Sequence, residues 1–136
     1  MIPNTDVDDT PKNREIVAFC ERYRKAVEHR DVRFLLSFAG SEYYEDGGNA
    51  DASDDLDYAG LEAYLNDKFK QAKGIRYEMR YRRVSEGRKK LILVDYTYSA
   101  SYKIPSEEGD IWRRRVSDNR LVIRRDKEKF KIIAGM

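Results

Sequence analysis

The sequence predicts an α+β domain with three N-terminal helices packed on a curved, mainly antiparallel sheet. Two observations carry this. Apolar residues recur at helical spacing as far as Phe69, and from Ile75 onward the period changes to two. Turn signals at Glu86-Gly87-Arg88 and over Pro105 to Asp110 then cut the second half into long strands that are joined too closely for parallel crossovers.

Thr10-Pro11 starts the first helix, a hydroxyl able to cap followed by proline at the first helical position, and Ile16, Phe19, Cys20, Tyr23 and Val27 mark one face over residues 11–29. Asp31 can cap a short second helix carrying Phe34, Leu35 and Phe38, ended by Gly40. Tyr43 to Glu45 reads as a short strand. Asp57 can cap a third helix with Leu61, Tyr64, Leu65 and Phe69 on one face and Gly74 at its end.

Ile75, Tyr77, Met79 and Tyr81 alternate with polar residues, and after the turn Ile92, Val94, Tyr96, Tyr98, Ala100, Tyr102 and Ile104 share a face. Residues 111–124 and Phe130 to Ala134 supply two more strands. Along 111–124 the apolar parity shifts from Trp112 and Val116 to Leu121 and Ile123, which predicts a bulge or bend near Ser117 to Arg120.

The chain's 136 residues suit one domain over 11–136 preceded by a flexible acidic leader, residues 1–10. No apolar run approaches the roughly 20 residues of a membrane helix. The single Cys20 excludes an intramolecular disulfide. The start lacks the basic and apolar regions of a signal peptide, so a cytoplasmic location is the default and an exported domain without its signal the alternative. Charge is uneven: residues 1–65 hold 7 Lys or Arg against 15 Asp or Glu, a net of −8, and residues 66–136 hold 20 against 10, a net of +10. The basic residues fall on or beside predicted strands with no recognition helix, RNP-type motif or Cys/His finger, which argues against nucleic acid.

Between Glu45 and Tyr58 the stretch EDGGNADASDDLDY holds six carboxylates. Asn49, Asp51 and Ser53 match the first, third and fifth places of a calcium loop, but Asp54 stands where glycine permits the turn and Gly60 where a bidentate Glu closes the shell. A solvated loop leading into a capped helix is the better reading, and no cofactor is expected. The Gly-Gly pair lacks the Lys and Ser/Thr of a phosphate loop. His29, the one histidine, sits at a helix C-terminus, and Cys20 lies on an apolar stripe, so neither builds a nucleophilic triad.

The element order, together with FCERYRKAVEHRDVRFLLSF, YYEDGG, YAGLEAYLNDKF and the closing FKIIAGM, resembles the nuclear transport factor two-like superfamily over about residues 11–136. This cone-shaped α+β fold includes SnoaL-like cyclases and ketosteroid isomerase. The resemblance implies a pocket between helices and sheet, frequent dimers through the outer sheet face, and many members without catalytic activity. By analogy with ketosteroid isomerase, Asp46 is the candidate base and Tyr23 the candidate donor, and Tyr98 is a second donor candidate in the enzyme reading. The third group of that enzyme falls near Arg120, with Asp118 close by.

The function expected is therefore a non-catalytic ligand-binding or interaction domain. The alternative is an isomerase, cyclase or hydratase acting on a small apolar substrate. The expected pocket is bounded by Phe19, Tyr23, Phe38, Tyr44, Leu61, Leu65, Tyr98, Trp112 and Arg114, with Arg114 placed to pair a carboxylate-bearing ligand. The expected partner is a second copy, docked through a sheet face carrying tyrosines and arginines.

Overall fold

A computed structural model describes residues 1–45, 56–70, 74–127 and 129–136. Helix α1 spans Pro11–Glu28 and α2 Val32–Phe38; strands β1 (Tyr44–Glu45) and β2 (Leu56–Asp57) precede α3 (Tyr58–Lys70). Four longer strands follow: β3 (Gly74–Glu86), β4 (Ile92–Ile104), β5 (Ile111–Asp126) and β6 (Lys129–Ala134). They form one sheet in the order β3-β4-β5-β6, every pair antiparallel, while β1 and β2 make a separate short pair.

Each helix begins where its capping side chain stands. The Asn13 amide donates to Thr10 Oγ1 at 3.1 Å, that of Phe34 to Asp31 Oδ1 at 3.0 Å and that of Gly60 to Asp57 Oδ1 at 2.8 Å. An N-cap of this kind is worth about 1 kcal/mol. Gly74 opens β3 opposite Lys103 and so belongs to the sheet, because pairing with β4 already extends that far.

The core forms where α1 and α2 press on the sheet and α3 packs on α2. Phe19 meets Phe38 edge-on with ring centroids 5.5 Å apart and Phe130 at 5.4 Å. Leu35, Leu61, Val94, Leu121, Ile123 and Ile132 are wholly buried around them. Their burial supplies the main drive to fold, about 1.5–3 kcal/mol for each large aliphatic side chain.

Strands β4 and β5 pair without a break from Ile92↔Ile123 to Ile104↔Ile111. The bulge expected near Ser117 to Arg120 is absent there. Irregularities fall instead between Tyr81 and Arg83, in the β3–β4 pairing, and between Val122 and Ile123, in the β5–β6 pairing. Strand β5 keeps one parity: Leu121 and Ile123 share the inner face with Asn119, Ser117 and Arg115, and Trp112 and Val116 lie on the outer face, exposed.

The β3–β4 hairpin turns at Lys89-Lys90 rather than at Gly87. Lys89 (φ 56°) and Lys90 (φ 61°) both have left-handed backbone, and the Leu91 amide donates to the Arg88 carbonyl at 3.1 Å. This is type I′ geometry, which matches strand twist but favours Asn-Gly. For a residue with a Cβ the left-handed region costs about 1–2 kcal/mol.

Residues 1–10 do not hang free of the domain as the acidic leader was expected to. The Asp6 amide donates to the Tyr81 carbonyl at 2.9 Å, the Asp6 carboxylate bridges Arg80 (2.9 Å) and Arg82 (2.8 Å), and Val7 is buried in the core. The composition of this segment carries no sign of that anchor, since the two arginines lie more than seventy residues away. No helix among the described residues is long and apolar enough to cross a membrane.

Candidate functional site

A cleft of about 600 Å³ opens between the helices and the inner face of the sheet, at the end away from the Phe19 core. That volume lies within the usual range for small-molecule pockets, roughly 300–1,000 Å³. Tyr23 and Val27, in the last turns of α1, form one wall, and α3 adds Tyr64, Lys68 and Phe69. Alternate residues of β3 and β4 supply the floor, chiefly Ile75, Tyr77, Tyr96, Tyr98, Ala100 and Tyr102. Strand β5 contributes Arg115, Ser117 and Asn119, and the chain ends there with Gly135 and Met136. The period of two along β4 is what brings three of these phenols to one side.

Hydrogen bonds fix the floor. Asn119 Nδ2 donates to the Tyr96 hydroxyl and to the Gly135 carbonyl, both at 3.0 Å. Gly135 is required for this close approach: its φ is 99°, and a Cβ would lie 2.1 Å from the Arg120 carbonyl oxygen. Close by, the Met136 amide donates to Tyr43 Oη at 2.9 Å, so the last residues are pinned on both sides.

The tyrosine rings stack obliquely, Tyr77 with Tyr98 at 5.8 Å and Tyr96 with Tyr98 at 6.3 Å between centroids. Burial pushes the Tyr77 and Tyr96 phenols well above their ordinary range, and for Tyr77 the neighbouring Tyr96 adds to the shift. These groups stay neutral at physiological pH and act as directional hydrogen-bonding groups. Arg115 brings a fixed positive charge to the inner face, opposite Ala100.

Of the residues expected to bound a pocket, Tyr23 and Tyr98 are brought together here. Phe19, Phe38, Leu61 and Leu65 are buried in the core instead, because α1 and α3 touch the sheet or α2 at those turns and leave no space. Tyr44 lies half exposed on β1. Trp112 and Arg114 lie on the outer face of β5: the Arg76 guanidinium sits 5.1 Å above the Trp112 ring, and Arg114 Nε donates to Ser99 Oγ at 3.0 Å. Arg115 rather than Arg114 faces the cleft, because the parity of β5 is unbroken. Leu121 and Ile123 carried the signal, since counting back from them by twos reaches Asn119, Ser117 and Arg115.

Asp95 lies on the outer face and pairs with Arg120. Asp118 lines the rim of the cleft beside Ser117 and Asn119, and its Oδ1 accepts a hydrogen bond from Thr97 Oγ1 at 2.6 Å. Cys20 is completely buried, and burial pushes its thiol up to about 12. Asp46, the candidate base, and Asn49, Asp51 and Ser53, the weak calcium candidates, lie outside the described residues.

No family model matches the sequence, and no curated protein matches it. Solved structures do match in three dimensions. Aln2 from a Streptomyces species superposes with a TM-score of 0.66 at 15% identity, over 94% of this chain and 91% of that one. A proposed dehydratase of the nuclear transport factor two-like family from Streptomyces avermitilis gives 0.69 at 14% identity, over 90% and 92%. A proposed scytalone dehydratase from Novosphingobium aromaticivorans gives 0.69 at 10% identity, over 91% and 80%. With three helices, a curved four-stranded antiparallel sheet and these superpositions, the chain has the nuclear transport factor two-like, SnoaL-like α+β fold.

Proposed function

We propose that the protein binds a small, largely apolar molecule bearing an anionic group in the tyrosine-lined cleft. The observation that carries this reading is the composition of the lining: aromatic and aliphatic walls, phenols held neutral by burial, and Arg115 on the inner face of β5. Apolar walls supply affinity, and a few fixed polar groups supply orientation. Isothermal titration of 2-naphthoate into the purified protein tests it. Saturable binding is expected, and Ala100→Trp, which fills the floor, is expected to abolish it without lowering the thermal midpoint. Absence of binding to the wild-type protein, together with no response to related aromatic acids, would reject the reading.

A second reading is favoured by one observation and by the names of two neighbours. Tyr23 and Tyr98, the two candidate donors, line the same cleft, and two of the similar folds are described as proposed dehydratases. In that case the protein is an isomerase, cyclase or hydratase, with Tyr23 or Tyr98 as donor and Asp46 as base. Turnover of an activated cyclic ketone that is lost in Asp46→Asn would support it, and turnover unchanged in that variant would exclude this assignment.

We also infer a homodimer docked through the outer sheet face. That face carries Trp112, Val116 and arginines, while the strand tyrosines 77, 81, 96, 98 and 102 face inward, so its chemistry differs from the tyrosine-rich surface expected. Trp112 and Val116 are each about half exposed. Sedimentation equilibrium should give twice the 16.0 kDa chain mass and, for the doubly substituted Trp112→Glu/Val116→Glu protein, the chain mass alone.

A further inference from the structure

At the opposite end of β4 from the cleft, a second concavity of about 470 Å³ is lined by six cations. They come from three separate parts of the chain: Lys12 in the first turn of α1, Lys89 and Lys90 at the β3–β4 turn, and Arg124, Arg125 and Lys127 at the end of β5. One carboxylate, Glu86, lines it too, and the sequence of the β5–β6 turn also holds Asp126 and Glu128. Arg124 is paired with Glu42 at 2.8 Å and Arg125 with Glu15 at 3.6 Å. The four lysines form no ion pair among the described residues, and all are exposed.

Gathering lysines at this end disfavours the fold in two ways. Like charges are crowded together, and Lys89, Lys90 and Lys127 all have positive φ (56°, 61° and 57°), where glycine or asparagine fits better. Three of the five non-glycine residues with positive φ among the described residues are therefore lysines of this one concavity. Their ammonium groups make no hydrogen bond among the described residues that would offset either cost. Local rules broken together, without return inside the fold, mark a place shaped by something outside it.

We propose that this concavity binds a compact oligophosphate anion. Charge selects an anion, and convergence of cations from three elements on one hollow suits several phosphate groups close together rather than a single carboxylate. A long duplex would be better met by a stripe of cations. Only Leu91 and Ile92 are apolar in the lining, and no aromatic ring is available there for a nucleobase to stack on. Inorganic triphosphate and the phosphates of a nucleotide share the required chemistry.

The test is calorimetric titration of the full chain with sodium triphosphate, ATP and a short DNA duplex, at about 50 mM and again at about 200 mM salt. Single-site binding of triphosphate is expected, weakened several-fold at the higher salt. Comparable binding of ATP would identify the phosphates as the shared determinant, and much weaker binding of ATP would point to the free inorganic anion. Lys89→Asn/Lys90→Gly removes two charges yet suits the type I′ turn, so it should keep or raise the thermal midpoint while weakening triphosphate by about tenfold or more. Lys127→Gly, which relieves the other positive φ, should act in the same direction. Lys25→Glu/Arg33→Glu, on the helices and outside the lining, should change affinity less than about twofold. The proposal is overturned if wild-type protein shows no saturable heat with triphosphate or if the helix variant loses as much affinity as the turn variant. Duplex binding that triphosphate does not displace would overturn it too, and would assign the surface to nucleic acid.

Discussion

The side-chain amide of Asn119 donates at 3.0 Å to the hydroxyl of Tyr96, joining the exposed edge of β5 to a ring that is almost wholly buried under the cleft. The same amide holds the Gly135 carbonyl. Asn119→Ala should therefore lower unfolding stability by about 1–2 kcal/mol, the cost of leaving partly buried polar groups without their donor. Tyr96→Phe should cost less, because the Asn119 bond to Gly135 survives. Denaturant unfolding of the two variants checks the order, and a neutral Asn119→Ala would show that water replaces the amide freely.

Burial raises the phenols of Tyr77, Tyr81 and Tyr96, and for Tyr81 the hydrogen bond to Glu21 raises it further. Below pH about 10 these tyrosines are neutral in both the folded and unfolded chain and add no pH dependence. Above it the unfolded chain releases protons that the folded one retains, so stability falls as pH rises. The slope is about 1.4 kcal/mol per pH unit for each such group, and Cys20, raised to about 12 from 9.0, acts in the same direction from pH about 9. Unfolding midpoints measured from pH 8 upward should drop, and Tyr81→Phe should make the drop shallower.

The helices were legible because each has its cap, Thr10, Asp31 or Asp57, at the predicted place. The strands were legible because β4, and β3 as far as Tyr81, alternate cleanly. What the sequence obscured was the parity of β5. Trp112 and Val116 look like core residues, but they lie on the outer face, while Arg115, Ser117 and Asn119 face inward. Hydrophobic patterning reports burial, and a strand wall that borders an open cleft is not required to be apolar. The misplacement of Arg114 and Trp112 follows from that one inference. Phe19, Phe38, Leu61 and Leu65 were misplaced for a different reason: the sequence shows an apolar face but not whether a neighbour closes against it. The anchor of the N-terminal segment depends on a pairing remote in sequence, which no local pattern reveals.

That anchor gives a prediction of its own. Hydrogen bonds from Arg82 and then Arg80 hold the Asp6 carboxyl below its ordinary range. A carboxylate shifted this way favours the docked segment above pH about 4, and the advantage is lost as pH falls through the depressed range. Amide exchange at Asp6 and Val7 should be slow at neutral pH, faster in acid, and already fast at neutral pH in Asp6→Asn. Exchange in that variant indistinguishable from wild type would leave the two ion pairs without a role.

Recognition of an anion inside the cleft is decided by titrating 2-naphthoate into Arg115→Gln and Arg114→Gln, adjacent residues on opposite faces of β5. If the cleft holds the apolar body of an anionic ligand beside Arg115, then Arg115→Gln should weaken binding by about tenfold, as loss of one charge-assisted hydrogen bond requires. Arg114→Gln, on the outer face with its Nε on Ser99, should leave the affinity within about twofold. Equal losses in the two variants, or a loss in Arg114→Gln alone, would show that the ligand is not held where Arg115 points.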